Sequence, residues 1–322
     1  MELVRKIEDV NIGFEVFKDQ IYFQQGDQLF KGNIESEKTN PICEIEHSFS
    51  GISKTQNGLV LVSAKGFQIL SNENILSEFI EIEGGIGDYK IKESKSLIIT
   101  EKLNGTWKQS LIDPIANSVR WSSNEKERII YSEGGYYVIN NQNIYKKDSD
   151  SGFVIWAYKY NEGSFQPVNI QSNEQYCLIG IPNKDLLLCL NNLTGIEIWS
   201  KPSIPKAIII DNQKNIAHQL MVNYNCIDLM SGEVVKSRVD REYFSEIRIQ
   251  NQKNNILQYQ NYLVVNDSRS KRTGALNLET LNFDKYIDGI SIPEGYKIQT
   301  NEDYIFLQGI DKTLNIVKMK AR

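Results

Sequence analysis

The sequence predicts an all-β fold, a single closed β-propeller of four-stranded blades spanning residues 1–322. Three observations predict it. A turn motif recurs along the chain, short β-runs come in groups of four at intervals of about 40 residues, and no stretch sustains a helical period.

The motif is Asp or Asn, three residues, Gly, three residues, Trp. It is complete in Asp148, Gly152 and Trp156 (DSDSGFVIW) and in Asn191, Gly195 and Trp199 (NNLTGIEIW). Two further copies carry one substitution each. Asp113 to Trp121 (DPIANSVRW) has Asn117 in the Gly place, and Asp228 with Gly232 (DLMSGEVVK) has Lys236 in the Trp place. An Asx side chain caps a tight turn, and Gly or Asn accepts the positive φ that other residues resist. Each such turn joins two antiparallel strands, and the Trp that ends the second strand brings a ring able to bury about 150 to 250 Å² between sheets.

Units start near residues 11, 49, 85, 126, 165, 204, 243 and 291. The fifth is the clearest, with strands at Val168–Gln171, Gln175–Ile181, Leu186–Leu190 and Ile196–Ser200. The eighth runs out of chain after Tyr296–Thr300, Tyr304–Leu307 and Leu314–Met319, and Glu2–Ile7 is available as its fourth strand. Closing the ring with strands from both termini removes exposed sheet edges. Eight blades are therefore expected, with seven the alternative, because units two and seven lack a clean turn motif. No Pro, Gly or Ser-rich linker divides the chain, so one domain is expected.

Composition excludes several functions. The 36 basic and 41 acidic residues leave a net charge of −5, the wrong sign for a generic nucleic-acid footprint. No run of 18 apolar residues occurs, so no membrane span is expected. Met1 to Val10 intersperses charges with single apolar residues and offers no apolar stretch for export. Cys43, Cys177, Cys189 and Cys226 lie far apart without a CxxC pair and read as reduced, mostly buried thiols of a cytoplasmic protein.

Over residues 113–236 the Asp-x-x-x-Gly-x-x-x-Trp turns resemble the repeats of quinoprotein-like propellers, the family of the pyrroloquinoline-quinone-dependent dehydrogenases. The resemblance implies, for a catalytic member, a quinone in the central funnel between an indole and a disulfide of adjacent cysteines, beside a calcium ion and a catalytic aspartate. This sequence has no adjacent cysteines, which removes half of that sandwich, so a non-catalytic member with no cofactor is expected. Non-catalytic members of the fold act as protein-binding platforms, some of them exported assembly factors.

The remaining motifs have ordinary structural readings. Trp121, Trp156 and Trp199 occupy the repeat position and read as blade packing, whereas Trp107 lies outside it. His47 and His218 alternate with apolar residues and read as half-buried structural imidazoles on strand faces. Asp148-Ser149-Asp150 lacks the spaced acids and closing Glu of a calcium loop, and no metal site is expected. Gly84-Gly85-Ile86-Gly87 lacks the third glycine of a dinucleotide fingerprint and marks the passage between units two and three. Glu44 with Glu46, and Glu81 with Glu83, read as solvated faces.

Asp267 to Thr273 (DSRSKRT) clusters Arg269, Lys271 and Arg272 in an otherwise acidic chain, within the longest unit. It reads as a solvated loop or as a partner-docking loop on a rigid scaffold. No catalytic residues are assigned. The function expected is a cytoplasmic binding platform for another protein, of the bacterial immunity or assembly kind, by analogy of fold. The alternative is a lyase or hydrolase acting on a sugar or lactone, its carboxylates converging from several blades on the central funnel.

Overall fold

The computed structural model describes residues 1–36, 38–55, 58–92, 96–103, 106–113, 118–123, 128–132, 135–140, 143–148, 151–160, 169–203, 208–220, 223–246, 256–267, 269–292 and 298–319. The fold is all-β, a β-propeller of eight four-stranded antiparallel blades, seven of them meanders in chain order. Blades one to seven begin with the strands Val10–Phe17, Gly51–Thr55, Asp88–Lys92, Arg128–Ser132, Asn169–Ser172, Ile208–Asp211 and Ile256–Tyr259. Blade eight uses Ile298–Asn301, Tyr304–Gln308 and Leu314–Lys318, and its fourth strand is the N-terminal Glu2–Ile7, paired antiparallel with Leu314–Lys318. The count is thus eight, and the expected closure by the N-terminal strand is present.

The chain divides into two compact units, residues 1–126 with 296–322, and residues 127–295. In the first, blade eight packs on blade one through Ile7, Phe14, Phe23, Phe306, Leu314 and Ile316. Polar side chains fix that register: the Gln308 amide oxygen accepts from Gly13 N–H at 3.1 Å, its nitrogen donates to the Asn11 carbonyl at 2.7 Å, and Gln299 accepts from Val16 N–H at 3.0 Å.

The second unit holds blades four to seven. Its middle strands are buried on both faces, which explains why Tyr176–Ile181 (YCLIGI) and Leu186–Asn191 (LLLCLN) read as continuous apolar runs rather than alternating ones. Cys177, Ile179, Leu188 and Leu190 face blade four, while Leu178, Leu187 and Cys189 face blade six. The fifth-unit boundaries expected from sequence agree with Asn169–Ser172, Tyr176–Ile181, Leu186–Asn191 and Glu197–Pro202 to within one or two residues.

Unit seven differs from expectation. Its first strand begins at Ile256, not near 243, because residues 241–246 form a short helix. Asp240 caps it, accepting from Tyr243 N–H at 2.9 Å on its carboxylate and from Phe244 N–H at 3.1 Å on its carbonyl. Phe244 is driven into the layer between blades six and seven, edge-on to Phe283 and beside Tyr224 and Leu263. Six residues are too few to register as a helical period.

Candidate interaction surface

The four turns joining third and fourth strands in the second unit share one geometry. Gly152, Gly195 and Gly232 each donate N–H to the carbonyl of Asp148, Asn191 and Asp228 at 2.8 Å. The Asx side-chain oxygens accept from the turn: Asn191 from Leu193 and Thr194 N–H at 3.0 Å, Asp228 from Ser231 N–H at 2.7 Å, Asp148 from Ser151 N–H at 2.8 Å. The donated backbone and hydroxyl hydrogens of Ser231 hold the Asp228 carboxyl below its ordinary range. Asn117 lies outside the described residues. Blade seven repeats the turn at Asn277, where Leu281 takes the Gly place at φ +58° and donates to the Asn277 carbonyl at 2.8 Å. Leu in that place is what hid the copy from the sequence.

A bulge just after each turn, with Ile155, Ile198 or Val235 as the extra residue, sets the register of the fourth strand, so that Trp156 pairs with Lys146, Trp199 with Cys189 and Lys236 with Cys226. Each of these side chains reaches the next blade. Trp156 Nε1 donates to the Asn192 carbonyl at 2.9 Å and Trp199 Nε1 to the Leu229 carbonyl at 2.8 Å. Lys236 Nζ donates to the equivalent Leu278 carbonyl at 2.7 Å, so the ammonium keeps the bond that the indole makes elsewhere. The rings also explain the glycines. A Cβ on Gly195 would sit 2.7 Å from the Trp156 ring, and one on Gly232 2.7 Å from that of Trp199. Where Lys236 stands in the Trp place, Leu281 stands in the Gly place. Trp156 and Trp199 are buried and Trp121 is half-buried.

Asn192, fully buried beside its turn, joins blades four and five. Its side chain accepts from Tyr137 Oη at 2.6 Å and donates to the Asn173 carbonyl at 2.5 Å, and Lys146 Nζ adds a second donor to its carbonyl at 2.9 Å. Burial lowers the Lys146 pKa and raises that of the Tyr137 phenol. Asn192 opens the triplet Asn192-Leu193-Thr194, and its burial closes that sequon to glycosylation in the folded state.

The predicted basic cluster lies at the hairpin tip between strands Tyr262–Asp267 and Arg272–Asn277, so it is a tight turn, not a long loop. The antiparallel order of the blade puts this tip at the opposite end from the Asx-Gly turns. Arg269 and Lys271 are exposed there. Arg272 is tied down: Nε and Nη2 grip Asp288 at 2.5 and 3.0 Å, and the guanidinium lies 4.8 Å from the Tyr286 ring centre. The extra length of this unit lies in the connection before Ile256 instead.

The histidines depart from expectation in different ways. His47 sits in the connection after Thr39–Glu44, not on a strand, with its ring centre 4.0 Å from that of Phe79. His218 is on a strand but fully buried, with Nδ1 2.9 Å from the Tyr224 hydroxyl. Its Nε2 is 3.9 Å from Asp211, whose carboxylate accepts from Gln258 of the next blade at 2.8 Å. Burial depresses the His218 pKa to about 4 against the opposing pull of Asp211. Among the described residues no group of three His, Cys, Asp or Glu side chains is placed to hold a metal ion. No helix among them is long and apolar enough to cross a membrane.

The feature that sequence reading missed is a band of exposed apolar side chains across blades four, five and six. It comprises Phe153, Val154 and Ile155, then Leu193, Ile196 and Ile198, then Met230, Val234 and Val235. Phe153 is 76% exposed, Met230 74% and Leu193 67%. Consecutive sets are neighbours, because each turn abuts the preceding Trp ring and because Tyr158 Oη reaches Glu197 at 2.8 Å and Lys201 reaches Glu233 at 2.5 Å. The available signal was apolar residues in the turns and around the start of the fourth strands, where solvated residues are the rule. Between Val154–Lys159 and blade five, a cleft of about 370 Å³ is lined by Tyr158, Lys159, Tyr160, Lys184, Leu186, Leu188, Glu197 and Ser200.

Neither a family model nor a curated protein matches the chain. Solved structures do match in fold. The computationally designed Ika8 protein superposes with a TM-score of 0.71 at 8% identity over 98% of both chains. Sqt1 of Saccharomyces cerevisiae superposes with a TM-score of 0.70 at 10% identity over 99% of both. BamB from Moraxella catarrhalis covers 83% of this chain and 96% of its own at 14% identity, with a TM-score of 0.47. At 8% and 10% identity the likeness to the first two is one of overall fold alone.

Proposed function

We propose that this protein is a non-enzymatic β-propeller of the quinoprotein-like kind that works as a protein-binding platform in the cytoplasm. The observation that carries the reading is the apolar band of blades four to six. The same turn of three consecutive blades presents exposed apolar side chains, nine in all, and exposed apolar groups recurring in this way favour a protein partner. The Asx-Gly-Trp turns support the quinoprotein-like kinship, and the four free thiols support a reducing compartment. The basic tip belongs to the same reading, with Arg269 and Lys271 steering encounter with an acidic protein surface and Arg272 held at its base by Asp288.

Affinity capture from the native cell tests the reading, using the wild type and the double variant Leu193→Asp, Met230→Asp. A reproducible partner is expected, with its affinity at least tenfold weaker for the variant. Neutralising Arg269 and Lys271 is expected to slow association and flatten its salt dependence. No reproducible partner, or unchanged binding by the band variant, refutes the platform.

A further inference from the structure

In the first unit, blades one and two pack through an apolar layer with Tyr22 and Leu29 on one side and Ile52, Leu59 and Leu61 on the other. Beside the turn after Phe17 the filling of that layer becomes charged. Glu15, Tyr22 and Lys31 stand opposite one another on the first three strands of blade one, so their side chains share the face turned toward blade two. Phe17, two residues beyond Glu15, shares it as well. Lys54, on the first strand of blade two, reaches across. Its Nζ lies 4.9 Å from the centre of the Phe17 ring and donates to the Asn72 side-chain oxygen at 2.7 Å. Lys18 Nζ lies 5.7 Å from the same ring, and Lys31 Nζ lies 5.7 Å from the ring of Tyr22.

Three ammoniums thus converge on two aromatic rings. Among the described residues none of the three is in an ion pair, and the partners of their side chains are ring faces and the Asn72 amide. Burial and the neighbouring Lys31 charge lower the Lys54 pKa, against the opposing pull of Glu15. Glu15 in turn accepts from the Gln299 amide at 3.2 Å. Three positive charges against this one carboxylate leave an excess of two, and an anion among them relieves their mutual repulsion. Solvent reaches the group: Phe17 is 39% exposed, Lys18 is exposed, and Tyr22, Lys31 and Lys54 are half-buried. The donors also select the anion. A guanidinium fork matches a planar carboxylate, whereas ammoniums are compact point charges whose rotatable donors suit the tetrahedral oxygens of phosphate. A phosphate monoester carries a charge of about −1.5 to −2 at neutral pH, which balances the excess.

We infer that Lys18, Lys31 and Lys54 form a binding site for a small phosphate monoester, with the phosphate among the ammoniums and its organic group against the exposed part of the Phe17 ring. The site uses none of the residues of the apolar band and stands independently of the platform reading.

Isothermal titration of the full-length protein with phenyl phosphate, inorganic phosphate and benzoate, at constant ionic strength, tests the site. Phenyl phosphate is expected to bind saturably, at least tenfold more tightly than benzoate and more tightly than inorganic phosphate. Lys31→Gln with Lys54→Gln removes two charged donors and is expected to raise the Kd for phenyl phosphate at least tenfold while keeping the wild-type melting temperature. Lys18→Gln, at an exposed position, is a second variant expected to raise the Kd without touching the packed layer. Phenyl phosphate is expected to raise the melting temperature of the wild type but not of the double lysine variant. Leu193→Asp with Met230→Asp is expected to leave the titration unchanged, so that loss of the band and loss of this site are told apart. The inference is overturned if phenyl phosphate does not saturate, if benzoate binds as tightly, or if the lysine variants bind phenyl phosphate as the wild type does. A phosphoserine peptide that binds at least tenfold more tightly than phenyl phosphate also overturns it, since the occupant is then a segment of another protein.

Discussion

Trp156 and Gly195 should behave as one unit in stability measurements. Truncating Trp156 to Ala removes a ring only 6% exposed together with its bond to Asn192, a loss of about 3 to 5 kcal/mol. Gly195→Ala acts through two terms. At φ +72° any side chain costs about 1 to 2 kcal/mol, and a Cβ 2.7 Å from the indole forces a displacement worth about 1 to 3 kcal/mol more. Once the ring is gone the second term has no partner. The double variant Trp156→Ala, Gly195→Ala should therefore lose less than the sum of the singles by about 1 to 3 kcal/mol. Denaturant midpoints with slopes, followed by far-ultraviolet circular dichroism, measure all four corners of the cycle. Additivity within about 0.5 kcal/mol refutes the ring-on-glycine contact as the reason for glycine in the repeat.

Asn192→Ala should cost about 2 to 4 kcal/mol by stranding the Tyr137 hydroxyl and the Asn173 carbonyl, and adding Tyr137→Phe should recover part of it; thermal melts of the two variants decide. Deleting residues 1–8 removes the fourth strand of blade eight and bares Leu314–Lys318, so a lower melting temperature and loss of monodispersity on size exclusion are expected. His218 is neutral in the fold with its pKa depressed to about 4 against an unfolded value near 6.5, so the unfolded chain takes up more protons between those values. Stability should then fall as pH drops from 6.5 toward 4, by up to about 3 kcal/mol, and His218→Gln should flatten that window in denaturant titrations. Lys236→Trp alone should destabilise because Leu281 carries a Cβ at the place where the indoles of the other blades leave no room for one, whereas Lys236→Trp with Leu281→Gly rebuilds the pair found in the other blades and should melt higher than the single variant.

The strands were legible because Leu186–Asn191 and its counterparts are short apolar runs bounded by turn residues, and the turns because Asp148, Asn191 and Asp228 each stand four residues before a glycine. Blade seven was obscure for a physical reason. Its turn puts Leu281 at φ +58° without the ring that elsewhere demands glycine, and Asp240 starts a helix too short to show a period. His218 alternates with apolar residues as a half-buried strand residue would, but a blade packed on both faces leaves it fully buried. The apolar band was obscure because Phe153, Leu193 and Met230 occupy turns whose chemistry is complete without them. Only exposure, which depends on the neighbouring blade, distinguishes such residues from the core. The basic tip was legible as charge but not as geometry, since the pairing of Arg272 with Asp288 crosses two strands.

The blade interfaces of the second unit read together as a natural substitution experiment. Two of them combine an indole donor with glycine, as Trp156 with Gly195 and Trp199 with Gly232, and a third combines an ammonium donor with Leu281. What persists across all three is the bond to the carbonyl after the Asx residue. What varies is the shape that delivers it. Apolar burial holds blades together without direction, so it permits neighbouring sheets to slide along one another. A buried carbonyl that must be satisfied does not, because a shift of one residue would leave it unpaired at a cost of about 1 to 3 kcal/mol. The donor thus fixes the register between blades, and the residue in the glycine place is chosen by the volume of that donor. A repeat built this way tolerates Lys for Trp provided that both sides change together, which is why blade seven retains the turn while departing from its sequence.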